Sequence, residues 1–264
     1  FQVGRTSFLV VNSHLAAHQH AVKQRNSNYH RIEALLPLRP RGMTAPQVAA
    51  GSSGADGSND DDVESPSRRE HASSLFDITI WMGDLNYRVN GNRAAIDALL
   101  APPGERQRAA PEWAGAEAHW ERNLAVLLAN DQLQRERAAG RAFAGFEEGD
   151  IAFRPTYKFD RVRVAAEEDA YDTSEKRRVP AYTDRVLWRA REPRDVELVR
   201  YDSVSEIRTS DHLPVVADMR VSYDASSASH GASALPRHSR LSRGGRARAG
   251  VASRQQASLV CTCM

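Results

Sequence analysis

Asp84 and Asn86 stand two residues apart in the stretch Ile80-Trp81-Met82-Gly83-Asp84-Leu85-Asn86-Tyr87-Arg88. A carboxylate can take a proton from water, and an amide can hold a water or an oxyanion without itself ionising. The preceding run, Asp77-Ile78-Thr79-Ile80-Trp81-Met82, reads as a buried strand stopped by Gly83. The strand period of two would aim residues i and i+2 at one point. An Asp-Asn turn after a strand is also ordinary turn chemistry, so the pair by itself leaves both readings open.

The elements that would position the pair can be taken in order. Phe8 to Val11 reads as a buried strand running into Asn12-Ser13-His14. Ala16 to Leu36 reads as a helix with Ile32, Leu35 and Leu36 on one face, closed by Pro37. Residues 37–74 turn to Pro, Gly, Ser, Ala and the acids Asp60, Asp61, Asp62 and Glu64. That composition buries too little apolar surface to offset its ordering entropy, so a disordered surface insertion is expected. Arg93–Leu100 and Glu117–Ala129 read as amphipathic helices, the second with Trp120, Leu124, Leu127 and Leu128 as its packing stripe. A further turn or two of helix follows at Leu133–Gly140, and Phe143 and Phe146 are expected to pack the next loop. Strands are expected at the run ending in Trp188, at Val196–Tyr201 and at Leu213–Val221, with Ser210-Asp211-His212 at the entry of the last. Residues 224–264 are Ser, Ala, Gly and Arg with few large apolar side chains, and read as a disordered tail. One core over residues 1–223 is therefore expected, not two domains.

Composition narrows the class. Hydrophobic residues make up 41% and charged residues 27% of the 264, as in globular domains. No apolar run is long enough to cross a bilayer. The two cysteines, Cys261 and Cys263, lie within the last four residues, so a disulfide framework is excluded and a reducing, cytosolic compartment is expected. Six arginines and one acid fall between Asp224 and the end. The basic charge is therefore concentrated in the tail, and the remainder is net acidic.

Four separated stretches together resemble the inositol polyphosphate 5-phosphatases of the endonuclease/exonuclease/phosphatase superfamily. They are Asn12-Ser13-His14-Leu15-Ala16-Ala17-His18 with Arg25-Asn26; Trp81 to Arg88; Pro155-Thr156-Tyr157-Lys158 leading to Arg178-Val179-Pro180-Ala181-Tyr182-Thr183-Asp184-Arg185; and Ser210-Asp211-His212-Leu213-Pro214-Val215. The resemblance spans about residues 8 to 220 in the family's order. It implies an α/β fold, a four-layer α/β/β/α sandwich, and magnesium-dependent hydrolysis of the 5-phosphate of phosphoinositides or inositol polyphosphates by a water nucleophile. By the same resemblance Asp84 is the base that orients the water, and Asn86 holds that water. His212 donates to the phosphoryl oxygens, Asp184 fixes its ring, and His14 is a second donor. Asp211 lies beside the Mg²⁺ site. Tyr157, Lys158, Lys176 and Arg178 match positions that grip the neighbouring 4-phosphate, where a dianion needs several donors and positive charge at once.

The departures from the family pattern matter too. The family's main magnesium-binding Glu lies upstream of its first motif here, so this chain, which starts at Phe1, is expected to be an incomplete catalytic domain lacking N-terminal strands. Asn28 replaces an Asp, and Tyr182 stands where Trp is frequent. The ending Cys261-Thr262-Cys263-Met264 fits a C-a-a-X box with farnesyl preference at Cys261. One prenyl chain holds a membrane only marginally, and the tail arginines would add attraction to anionic lipid. A peripheral location on the cytosolic face of membranes is thus expected, with no nucleic-acid partner. Two alternatives stay open: a catalytically incompetent, lipid-binding scaffold, and a nuclease, which the Pro-Thr-Tyr-Lys stretch argues against.

Overall fold

In a computed structural model, the described residues are 1–36, 71–104, 108, 115–160, 170–226 and 254–263. Most of the expected insertion (37–70), the acids Glu167 to Asp169 and tail residues 227–253 lie outside them. The first sheet holds β1 (Gln2–Val3), β2 (Thr6–Asn12), β3 (Ile78–Asp84), β4 (Glu147–Glu148) and β5 (Asp184–Ala190), in the order β1-β2-β3-β5-β4. The second holds β6 (Val196–Ser203), β7 (Val215–Asp224) and β8 (Arg254–Cys263). The helices are α1 (Val22–Leu35), α2 (Arg93–Leu100), α3 (Ala116–Ala129) and α4 (Gln132–Ala138).

Strand alternation explains how the sheets stack. Phe8, Ile78, Ile80, Val186 and Trp188 on one face of the first sheet meet Val196, Tyr201, Val215, Ala217, Met219 and Val221 of the second. The opposite face, through Leu9, Val11, Trp81 and Leu187, meets Tyr29 of α1, Leu133 of α4 and the loop residues Phe143 and Phe146. Two sheets face to face with flanking helices are the α/β sandwich the sequence predicts. α2 is anchored by its Asn92 cap, whose side chain accepts from the Ala95 N–H. Its Ile96 and Leu100 join Leu127 of α3 at the border of the inter-sheet core.

Three expectations need correcting. Residues Ala16–Ala21 are not helical, and α1 begins at Val22. The Arg25 guanidinium takes the carbonyls of Ala16 and His18 at 3.1 and 2.7 Å, and His18 adopts a positive φ of 80°. Those carbonyls therefore cap a side chain instead of continuing a helix. Residues 72–74, placed in the disordered insertion, form with Leu75 a 3₁₀ turn in which Ala72, Ser73 and Leu75 are buried. Glu33 of α1 accepts the Ser73 N–H there at 2.9 Å.

The third correction concerns the tail. Residues 254–263 are not disordered but form β8, paired antiparallel with β7 from Asp224↔Arg254 to Val215↔Cys263. Cys261 and Cys263 turn into the inter-sheet core, each 5% exposed, and the Cys263 thiol donates to the Arg185 carbonyl at 3.4 Å. Backbone pairing with β7 supplies what the polar sequence of this segment lacks. A prenyl group at Cys261 therefore requires the last strand to leave the sheet.

Candidate active site

β3 and β5 pair antiparallel, and their last matched residues are Asp84 and Asp184. The ladder alone thus brings together two carboxylates 100 positions apart in the chain. The β3 strand does not stop at Gly83 but passes through it. Gly83 has φ +124°, and a Cβ there would sit 2.2 Å from the Ser13 carbonyl oxygen and 2.6 Å from Asn12 Oδ1. Only glycine lets the end of β2 press that closely against β3. The contact aligns the next residues, since Ser13 N–H donates to the Met82 carbonyl and Leu15 N–H to that of Asp84, both at 3.0 Å.

Asn86 sits near Asp84, but not through the strand period. It lies beyond β3 with φ +57°, a left-handed turn that asparagine tolerates better than most residues. From there its backbone N–H donates to Asp84 Oδ1 and its Nδ2 to Asp84 Oδ2, both at 3.0 Å. Nδ2 also donates to the Leu15 carbonyl at 3.1 Å, and Oδ1 accepts from Arg88. With both amide hydrogens engaged, Asn86 is not free to hold the water expected of it. It fixes the Asp84 carboxylate instead. Each Asp84 oxygen still has acceptor capacity, and the side chain is 12% exposed.

The segment Pro155–Phe159 ties the two remaining motifs to this point. Tyr157 bridges both Ala181 and His212, Leu213 N–H donates to the Thr156 carbonyl, and Phe159 N–H to that of Asp211, both at 2.9 Å. His212 Nδ1 then lies 2.7 Å from Asp184 Oδ2, which also accepts from Thr183 Oγ1 at 2.8 Å. The Tyr157 and His212 rings are 4.6 Å apart. His14 Nε2 is 3.4 Å from Asp84 Oδ2 on a side chain 74% exposed. Lys158 Nζ stands 3.9 Å from Asp211 Oδ2.

Asp84, Asn86, Asp184, His212, His14, Tyr157, Lys158 and Asp211 are therefore brought together. Lys176 and Arg178 are not joined to the cluster by any hydrogen bond or ion pair among the described residues. Lys176 is exposed, while the Arg178 N–H donates to Asp172 Oδ2 and its carbonyl accepts from Arg93. Thr183 and Arg88 were not singled out from sequence, although both lie inside quoted motifs. A Thr beside an Asp carries no spacing signal, and the job of Arg88 depends on a ring that arrives from elsewhere.

Electrostatics divide the site into an acceptor and a donor. Burial and the nearby Asp184 charge raise the Asp84 proton affinity above the ordinary carboxylate value, against the opposing pull of His212, His14 and Arg88. Burial pulls the His212 imidazolium down, but the hydrogen bond and charge of Asp184, with the charges of Asp84 and Asp211, outweigh it. The net shift is upward from 6.5. With Nδ1 committed to Asp184, Nε2 is the nitrogen left for a ligand.

Among the described residues no three His, Cys, Asp or Glu side chains converge as a cation site. The Asp84 oxygens are held by Asn86, Asp184 Oδ2 is held by His212 and Thr183 while its buried Oδ1 has no hydrogen-bond partner, and Asp211 faces Lys158. The described residues thus do not provide the donor set that a hard divalent ion takes.

Residues 1–218 match the family described as Endonuclease/Exonuclease/phosphatase family 2. The phosphatidylinositol polyphosphate 5-phosphatase type IV of Rattus norvegicus is 36% identical over 216 residues, covering 82% of this chain and 28% of the relative. The type II inositol 1,4,5-trisphosphate 5-phosphatase of Mus musculus is 35% identical over 215 residues, covering 81% of this chain and 17% of the relative. The chain thus spans less than a third of the length of these relatives. A crystal structure of the inositol polyphosphate 5-phosphatase domain of SPsynaptojanin, in complex with inositol (1,4)-bisphosphate and calcium ion, aligns with a TM-score of 0.53 and 28% identity. The alignment covers 80% of this chain and 46% of that one.

Proposed function

The chain belongs to the endonuclease/exonuclease/phosphatase superfamily and, within it, to the inositol polyphosphate 5-phosphatases, and on that premise we propose that it hydrolyses the 5-phosphate of a phosphoinositide or inositol polyphosphate with water as the nucleophile. The observation that carries this reading is the pairing of Asp84 with Asp184 across one ladder while Asp184 holds His212. An acceptor and a protonated donor then share one mouth.

In this reading water attacks phosphorus opposite the inositol oxygen. A P–O bond to water forms as the P–O bond to inositol breaks. Asp84 takes the water's proton, and the leaving oxygen is protonated from solvent. Negative charge grows on the phosphoryl oxygens, where His212 as imidazolium is a fixed donor needing no reorganisation during the step. His14, 74% exposed, is a weaker second donor. Tyr157 and Lys158 supply a phenol and a cation for the neighbouring phosphate. Lys176 and Arg178 would join them on binding.

A divalent cation belongs to the reading, magnesium by the sequence resemblance. It would add positive charge against the phosphoryl oxygens. Because the described residues do not fit its donor set, no step above depends on it. The alternative reading is a member that binds inositol phosphates without turning them over.

Phosphate release by the intact protein from inositol 1,4,5-trisphosphate and from vesicles bearing phosphatidylinositol 4,5-bisphosphate, set beside nicking of plasmid DNA, tests the proposal. Release is expected without nicking, and Asp84→Asn should lower it about 10³-fold. Nicking would assign the nuclease, and saturable binding without release the scaffold. Membrane attachment through Cys261 is part of the proposal for a chain whose β8 is released. A native mass carrying a farnesyl group on Cys261 supports it, and an unmodified Cys261 with Met264 retained rejects it.

A further inference from the structure

Arg88 has no part in the steps above, yet the two halves of the site meet on it. Its Nε donates to the Asn86 carbonyl at 3.1 Å and a terminal nitrogen donates to Asn86 Oδ1. Asn86 in turn holds both oxygens of Asp84. The same guanidinium lies 4.4 Å from the centroid of the Tyr157 ring, and that ring packs on His212. His212 is bonded to Asp184, and Asp184 lies opposite Asp84 in the ladder. These contacts close a loop through six residues, and Arg88 is the member that joins its hydrogen-bonded side to its aromatic side.

Resting on the hydrolytic reading, we propose that Arg88 is a positioning residue, which sets the proton-accepting carboxylate of Asp84 and the imidazole of His212 in fixed relation to each other. Arginine suits the task because its planar fork bonds in two directions in the plane while its face stacks on an aromatic ring. Lysine offers the charge without the fork.

Arg88 is 7% exposed, and among the described residues no carboxylate lies within ion-pair distance of it. A buried cation without an acid is costly to keep, so a packing role alone would be better filled by an apolar side chain. Its position is also enforced from behind. The Arg88 N–H donates to Gln132 Oε1 at 2.9 Å, and the same oxygen accepts from Arg25 at 2.6 Å. Gln132, 4% exposed, is anchored through its own amide to the Gln19 carbonyl and Asn90 Oδ1. The Arg88 charge also opposes the rise in Asp84 proton affinity.

The test compares kcat and KM on inositol 1,4,5-trisphosphate for the intact protein and for Arg88→Met, Arg88→Lys, Tyr157→Leu, Tyr157→Phe and Asp84→Asn. Arg88→Met keeps the length and the packing on Tyr157. It should lower kcat about 10²-fold, the cost of a misplaced reacting group, with KM and melting temperature little changed. Arg88→Lys should recover part of that loss. Tyr157→Leu cuts the aromatic side of the loop but also removes a phenol offered to the substrate. It is therefore set beside Tyr157→Phe, which keeps the ring on Arg88 and His212. The fall in kcat should be larger in Leu than in Phe, and this difference with Arg88→Lys decides the matter if Arg88→Met does not fold. Wild-type kcat in the Met variant, a rise in KM alone, or a loss of activity that follows melting temperature equally in Lys and Met would overturn the inference. If Asp84→Asn is itself fully active, the hydrolytic reading fails. If Asp84→Asn is inactive and Arg88→Met is not impaired, only the positioning role fails.

Discussion

Replacing His212 with asparagine is expected to lower phosphate release about 10³-fold, the scale on which a positioned proton donor contributes to a rate. Asp184→Asn should cost a comparable factor while leaving the ring in place, because it keeps an acceptor oxygen but removes the negative charge that favours the imidazolium. The two variants differ in pH dependence. Burial lowers His212, the Asp184 hydrogen bond and charge more than restore it, and the folded value ends above 6.5. The imidazolium thus persists to higher pH than a free imidazole would, and activity that needs it declines as pH rises through the folded value. In Asp184→Asn that alkaline decline should begin at lower pH. In His212→Asn the residual rate should lose this limb altogether. Linkage has the same sign: His212 contributes stability that is fully present below its unfolded value and is lost as pH rises through the folded one. A pH–rate profile of the Asp184→Asn protein that matches wild type would remove Asp184 from the mechanism.

Arg185→Leu should produce the largest loss of stability, about 3–5 kcal/mol, read as a fall in the urea midpoint at constant slope. Asp184 and Arg185 are neighbours on a strand and therefore face opposite sides. Asp184 enters the site, and Arg185, on the same face as Leu187, turns toward the start of α4. Arg185 is fully buried and bonds Glu148 through Nε at 2.6 Å and a terminal nitrogen at 2.8 Å, and Asp131 at 3.0 Å. Tyr201 of β6 joins through Glu148 at 3.1 Å, so β4, β5, β6 and the start of α4 share one charge cluster. Without the guanidinium Asp131 is left as a buried acid. Burial already raises its proton affinity and Arg185 holds that rise in check. The defect should therefore be smaller in acid, where Asp131 can take a proton, and smaller again in the Arg185→Leu/Asp131→Leu pair. A single variant as stable as wild type at neutral pH would mean that the cluster is structurally idle.

Much of this was legible in the chain because hydrophobic period and motif order carry it. The Arg93–Leu100 helix and the stripe of α3 followed from spacing, and the strand before Asp84 from its β-branched and aromatic run. What could not be read depends on single dihedrals or on partners far away. The left-handed turn at Asn86 leaves no mark in a hydropathy pattern. Arg25 holds the Ala16 and His18 carbonyls from nine and seven residues downstream, so a plausible helix start becomes a loop. Strand β8 opens on the polar run Arg254-Gln255-Gln256, and its register with β7 makes it a strand. Arg88 was quoted within a motif, but its meaning appears only once Tyr157 lies over it.

The matching of Asp84 with Asp184 at the end of the β3–β5 ladder has a consequence for how this architecture can vary. Everything joining those strands can lengthen, shorten or be rebuilt without altering the spacing of the two carboxylates, since the hydrogen-bonded rungs and not the connecting chain set it. One residue added inside Ile78–Asp84 is another matter. It turns Asp84 toward the opposite surface and carries the apolar partners with it. Mutational tolerance should therefore be nearly binary, generous to whole inserted segments outside the rungs and unforgiving of a single-residue slip within them.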